Sequence, residues 1–437
     1  MQAQTAQTST GPRFLGTNAK FLHGEAPKPE TKTLRFKLLR QAQGVLFKAD
    51  TDHKEQHRTC WCHRSMRGET VNVWRGDAGN NARFTGLSTC GSVWTCPVCA
   101  PMIQDARRDE ISKAMVEWTK NQAGVVLFMT LTHPHEADLP LAEQLAKREK
   151  AEQRFKNSRV YKRMKEKHGR AGSIRSLEVT WGMEHGFHPH THDLIFLKDN
   201  LIEGYAQEEL NDPTTYRGYL AELRDTWIKC LIKAGLGGNI ADMQRRAFQL
   251  QDGQKAAEYM AKFGRDIKWG LSSEMTATHA KIGAAGSVFG KQHFTPFQML
   301  LWAGTEQNPA ARAIMRRKFK EYADAFTGKR AMTWTPKLKA LLKVKDLTDE
   351  EIIDAHEKEP LPEESMAGSL TSEQFNTLTR HNHLGEFLAY VRDYCHNPES
   401  SQGDIDDYLE HLAGKAPPMP GGLLQKNNYG PDFVRIH

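Results

Sequence analysis

Between residues 174 and 197 the chain reads IRSLEVTW, then Gly182-Met183-Glu184-His185-Gly186, then FHPHTHDLIFL, and this stretch sets the strongest limit on its fold. Two runs rich in β-branched and aromatic residues on either side of a short glycine-bounded turn predict an antiparallel hairpin. Side chains alternate between the two faces of a strand, so His188, His190 and His192 share one face. With the turn centred on Glu184, Glu178 falls opposite His190. Directly opposed Cβ atoms lie about 4.5–5.5 Å apart, so a single cation can meet this carboxylate together with the imidazoles of His190 and His192. Imidazole and oxygen donors without thiolate suit Mn²⁺ or Mg²⁺ and leave positions open for substrate oxygens, which is a catalytic arrangement. His188 stands at the strand entrance, where Pro189 interrupts backbone pairing, and reads either as a ligand's supporting neighbour or as the start of the strand. A second pair, His133 and His135 around Pro134, reads as a strand-end loop.

The flanking sequence predicts an α+β domain. Residues 125–132 (VVLFMTLT) form a buried strand, and a long basic stretch with helical patterning separates it from the hairpin. Residues 216–234 and 252–263 are helical. Strands paired as hairpins with long helical connections imply a central antiparallel sheet with flanking helices. In the second of those helices Tyr259 and Lys262 are three apart and share a face, which presents a phenol and a cation together. A phenol can attack phosphorus when a metal and a lysine stabilise the phenolate and the phosphoryl oxygens.

Five cysteines fall within forty residues: Cys60, Cys62, Cys90, Cys96 and Cys99. The knuckle Cys96-Pro-Val-Cys99, with Cys90 and either Cys60 or Cys62, supplies the four thiolates of a structural zinc site. Cys230 and Cys395 lack partner spacing and are expected to be buried.

The net charge of +7 conceals an asymmetry, because residues 346–437 hold 6 Lys/Arg against 18 Asp/Glu and leave +19 on the remainder. Residues 141–175 concentrate the positive charge, with 12 Lys/Arg against 4 Asp/Glu. There Lys147, Arg148, Arg154, Lys156, Arg159, Lys162, Arg163 and Lys165 predict a phosphate-binding surface and hence a nucleic-acid partner. No run is long and apolar enough for a membrane helix and the first residues are polar, so a cytoplasmic protein with no membrane partner is expected. Neither Gly-Lys pair has the upstream glycine of a nucleotide-binding loop, which argues against an attached ATP-driven helicase. The expected organisation is a largely disordered segment 1–55, a Cys-rich zinc module 56–123, a nuclease domain 124–275, a helical extension 276–345 and an acidic C-terminal tail 346–437.

Taken in order, these motifs resemble those of the rolling-circle plasmid replication initiators of the HUH endonuclease superfamily. Residues 128–132 (FMTLT) are similar to the first motif, His188 to His192 to the metal motif and residues 256–262 to the tyrosine motif. The segments CGSVWTCPVC, WGLSSE and TPFQML are also similar to parts of the same plasmid group. The resemblance implies a ferredoxin- or RRM-like HUH nuclease sheet and a site-specific endonuclease and strand transferase. It would nick one strand of a double-strand origin, remain on the 5′ phosphate through a phosphotyrosine, and recruit a host helicase and replication proteins. By position, His190 and His192 correspond to metal ligands with Glu178 as the third, Tyr259 to the nucleophile and Lys262 to its helper. Glu258 is the candidate for activating water at the end of the cycle. Thr191 departs from the family pattern, standing where a bulky apolar residue is usual. The same residues leave open an HUH transposase or mobilisation relaxase, or a non-enzymatic zinc-dependent DNA-binding protein.

Overall fold

The computed structural model describes residues 29–76, 81–134, 138–253, 256, 294–358, 361, 363–397 and 399–415. At its centre five antiparallel strands run in the order β6-β3-β5-β4-β7, with β3 Val125–Leu131, β4 Gly172–Gly182, β5 Gly186–Leu197, β6 Phe248–Gln251 and β7 Met332–Trp334. The hairpin β4-β5 has the expected register: Glu178 faces His190, and Gly182 faces Gly186 across the turn. Gly186 takes φ +71°, a left-handed conformation that glycine enters without a Cβ clash. The α+β class read from the sequence is the architecture observed, with helices on both faces of an antiparallel sheet.

Alternation along the strands divides the sheet into two faces. Leu127, Met129, Leu131, Ile195 and Leu197 point to one side, where they pack with Ala151 and Phe155 of α3 (Leu141–Asn157), Tyr161 and Met164 of α4 (Arg159–His168), and Trp227. Ser158 separates the two helices by accepting from the Tyr161 amide, a side-chain N-cap. Val126, Phe128, Ile174, Leu194 and Phe196 point the other way and pack with Ile111 of α2 (Cys99–Val116), Trp118, Leu338 and Leu342. His190 and His192 lie on this second face, and Thr191 and Asp193 lie on the first.

Two parts of the chain depart from expectation. Within the segment expected to be disordered, Pro29–Leu46 forms a helix, α1, whose Leu34, Leu38, Ala42 and Val45 are buried with Phe297, Leu300, Phe319 and Tyr322. Its apolar residues fall at helical spacing but are diluted by Lys, Arg and Gln, so its periodicity is weak in the sequence. The acidic tail is no appendage either. Its strand β8 (Glu364–Leu370) pairs antiparallel with β1 (Val71–Gly76), completing a sheet of order β2-β1-β8 with β2 Ala82–Thr85. Tail residues Phe375, Leu378, Phe387, Val391, Ile405 and Leu409 then share a core with Val71, Val73 and Phe84. The strand reads ESMAGSL, without the β-branched residues that mark strands in a sequence. Among the described residues no helix is long and apolar enough to cross a membrane.

Candidate metal centre

Glu178, His190 and His192 bring one ligand atom each to within 4.8 Å of one another. Both Nε2 atoms turn toward the same carboxylate oxygen, at 3.4 Å for His190 and 3.7 Å for His192. The other ring nitrogens are already engaged. His192 Nδ1 lies 3.0 Å from Thr130 Oγ1, and His190 Nδ1 lies 3.3 Å from the carbonyl of His188. With Nδ1–H donating to these oxygens, each Nε2 keeps its lone pair for a cation, the usual role of outer-shell partners at a metal-bound histidine. Burial pushes the His192 imidazole down to about 4, so the ring is neutral and able to ligate at physiological pH. Phe128 stacks on the same ring with centroids 4.9 Å apart. The donor chemistry and convergence fit a divalent cation held by three protein ligands with further positions open. His188 is the neighbour of His190 on the same face but lies outside this converging trio.

Directly behind the ligands, on the opposite face of the sheet, is a buried ionic network. Arg148 of α3 donates to Thr191 Oγ1 (2.7 Å) and the Leu131 carbonyl (2.8 Å), contacts His133 Nδ1 (3.0 Å) and pairs with Glu152 (3.2 Å). Glu152 accepts from Thr191 Oγ1 and pairs with Arg175, and Lys156 pairs with the fully buried Asp193. Burial alone would raise the Glu152 carboxyl, but Arg148 and Arg175 beside it hold it at about 2. The hydroxyl of Thr191 thus has a specific partner where an apolar side chain would strand Arg148. Two of the eight cations expected on a phosphate-binding surface are therefore structural: Arg148 is 1% exposed, and Lys156 turns to Asp193. Lys147 and Arg163 pair with Glu143 and Glu222, and Arg154 donates to the Lys233 carbonyl. Arg154, Arg159, Lys162 and Lys165 are exposed, on helices that cover the face away from the histidines. His133 belongs to the network, and His135 lies outside the described residues.

The histidine face opens onto a groove of about 1140 Å³ that extends from Glu178, His190 and His192 to His57, Arg58 and Trp94 of the Cys-rich module. In that module Cys62, Cys90, Cys96 and Cys99 converge, all buried and all free thiols. Sulfur separations of 3.5 Å for Cys62–Cys96, 3.5 Å for Cys62–Cys99 and 3.9 Å for Cys90–Cys99 approach the roughly 3.8 Å edge of a tetrahedron with 2.3 Å Zn–S bonds. The Cys99 amide donates to Cys96 Sγ at 3.3 Å, bracing the knuckle. Burial pushes the Cys62 and Cys96 thiols up, so four thiolates together require a cation to compensate them. The cluster is compatible with structural zinc. Cys60 stays outside it: its thiol faces the Gln43 carbonyl at 3.9 Å, so Cys62 is the fourth member. Cys230 and Cys395 are buried elsewhere.

The helix read as carrying Glu258, Tyr259 and Lys262 lies outside the described residues. Sequence reading missed Thr130 and the network of Arg148, Glu152 and Asp193. The signal for Thr130 was available once β3 is placed beside β5, where it falls opposite His192.

Residues 82–209 match the replication protein family, a span that holds Glu178, His190, His192 and three of the four clustered cysteines. The chain is 28% identical over 314 residues to the protein rep of Streptomyces lividans, covering 61% of this chain and 66% of that protein. It is also 28% identical over 185 residues to a neomycin resistance protein of Streptomyces cyanogenus, covering 36% of this chain and 41% of that protein. The chain therefore spans less than two thirds of the length of each of these curated relatives. No solved structure matches. These comparisons show that part of the chain is similar to replication proteins.

Proposed function

We propose that this protein is a plasmid rolling-circle replication initiator, a DNA endonuclease and strand transferase that nicks one strand of its double-strand origin. The observation that carries the reading is the convergence of Glu178, His190 and His192 at an open groove, in a segment similar to replication proteins. Mn²⁺ or Mg²⁺, held by Glu178, His190 and His192, would supply Lewis-acid stabilisation of charge on the scissile phosphate. His190 and His192 offer Nε2 and Glu178 a carboxylate oxygen, while Thr130 and the His188 carbonyl fix the ring orientations.

Tyr259 is the proposed nucleophile. Its phenolic oxygen forms a bond to phosphorus, the bond from phosphorus to O3′ breaks, the phenol proton passes to solvent, and the departing 3′ oxygen takes up a proton. The 5′ end remains esterified to tyrosine, which conserves the bond for religation without ATP, and the 3′ hydroxyl primes synthesis. Lys262, three residues on in the sequence, counters the phenolate charge, and Glu258 is the proposed base for a terminating water. The four-cysteine cluster, loaded with zinc, stiffens the module that forms the far wall of the groove. A host helicase and replication proteins complete the reaction sequence. Supercoiled origin DNA with Mn²⁺ tests the proposal: the wild type nicks it, Tyr259→Phe binds without nicking, and mass spectrometry of the covalent adduct places the DNA on Tyr259. Nicking retained by Tyr259→Phe sinks the assignment of the nucleophile.

A further inference from the structure

We propose that single-stranded DNA approaches the metal centre along the groove on the histidine face, its phosphates met by Arg330, Lys320 and Lys337. The basic helices α3 and α4, the obvious electrostatic footprint in the sequence, then do not guide the scissile strand. The inference rests on the reading of DNA as substrate.

The geometry of the sheet edge carries it. β7 is the outermost strand next to β4, and the Leu177 amide donates to the Ala331 carbonyl at 2.9 Å. Arg330 therefore follows the strand edge past Glu178, whose neighbour holds the adjoining residue. Arg330, Lys320 and Lys337 all line the groove, and all three are exposed. Among the described residues none of the three is ion-paired.

Three other cations that line the groove are already compensated. Arg58 pairs with Glu350 at 3.1 Å, Arg107 with Asp349 at 2.6 Å, and Lys339 with Asp346 at 3.0 Å. Arg330, at the strand edge beside Glu178, with Lys320 and Lys337 further along the groove, thus offers a polyanion a line of positive charge that leads to the metal ligands. At about 1140 Å³ the groove exceeds the roughly 300–1,000 Å³ of a small-molecule cleft, a size suited to a polymer strand. By contrast, α3 and α4 lie behind the sheet, and α3 commits Arg148 and Lys156 to the buried network. A strand bound there would be separated from His190 and His192 by the sheet itself.

The test is fluorescence anisotropy of a labelled single-stranded oligonucleotide with the full chain, in chelator so that neither metal nor nucleophile is needed. The variant Lys320→Gln/Arg330→Gln/Lys337→Gln should bind at least tenfold more weakly at about 0.1 M salt. It should also flatten the slope of log affinity against log salt by about 2, at roughly 0.7 per lost phosphate contact. Arg159→Gln/Lys162→Gln/Lys165→Gln, equally exposed on α4, should stay within about twofold of wild type, and Arg330→Lys should retain affinity. Thermal melts of each variant check that the fold is intact. Loss confined to the α4 variant, equal loss in both, or an unchanged groove variant overturns the proposal. Nicking is a separate readout: a wild type that binds through the groove but never cleaves with Mn²⁺ leaves the path standing and removes the nuclease reading.

Discussion

At the scale of single residues, the site was legible where strand alternation decides geometry and illegible where a neighbouring strand does. Period-two alternation and a glycine-bounded turn were enough to set Glu178 against His190, because a hairpin with a short loop has little freedom of register. Thr130 was out of reach for the opposite reason: nothing local says that β3 pairs with β5 so that Thr130 meets His192. Thr130→Val should remove the acceptor for His192 Nδ1–H and lower Mn²⁺ affinity by about ten- to a hundredfold, with DNA binding in chelator unchanged. Isothermal titration with the metal measures it, and undiminished affinity refutes the positioning role. The choice between Cys60 and Cys62 turns on a two-residue offset within a short helical turn, which sequence spacing cannot resolve. Cys62→Ser should lose the bound zinc and lower the melting temperature, while Cys60→Ser should retain one equivalent by metal analysis.

At the scale of elements, charge density misled more than hydrophobic pattern did. The run of Lys and Arg along α3 reads as one solvated face, yet a helix that packs across a sheet must turn some of its positions inward, and here they include Arg148 and Glu152. Their partners, Thr191, Arg175 and His133, lie far along the chain, so burial of this kind is visible only after folding. Removing one member of such a network leaves its partners charged and dry. Arg148→Met should therefore destabilise the domain by about 3–5 kcal/mol in urea unfolding, whereas Arg159→Met on exposed α4 should cost under about 0.5 kcal/mol. Equal costs would remove the structural role assigned to Arg148. The same contrast explains α1, whose apolar positions are too widely diluted by polar residues to stand out. Leu38, 1% exposed within the core it forms with Phe297 and Phe319, should cost about 2–5 kcal/mol when changed to Ala.

At the scale of the whole molecule, the acidic C-terminal region is built into the Cys-rich module by a strand, an apolar core and a set of carboxylates. This long-range closure left no trace in local sequence. One of those carboxylates makes the union sensitive to pH. Glu357, 8% exposed on the helix Asp349–Lys358, accepts from the amides of Gly86 (3.1 Å) and Leu87 (3.3 Å) beside β2. Burial raises its carboxyl from the ordinary 4.5 to about 7, the two amides and Arg67 offsetting only part of that cost. A folded value above the unfolded one means that the native state holds its proton more tightly, so the stabilisation is complete below about 4.5. It is lost as the pH rises through about 7, by an amount on the order of 3 kcal/mol. Melting temperature should accordingly fall between pH 5.5 and 8 in the wild type. In Glu357→Gln, which keeps an acceptor oxygen and carries no proton to lose, that fall should be largely abolished. If both proteins lose the same stability over this range, Glu357 is not the group that couples the tail to pH; Lys32, whose ammonium burial lowers to about 7, acts in the opposite sense, its contribution to stability rising with pH, and cannot supply that loss.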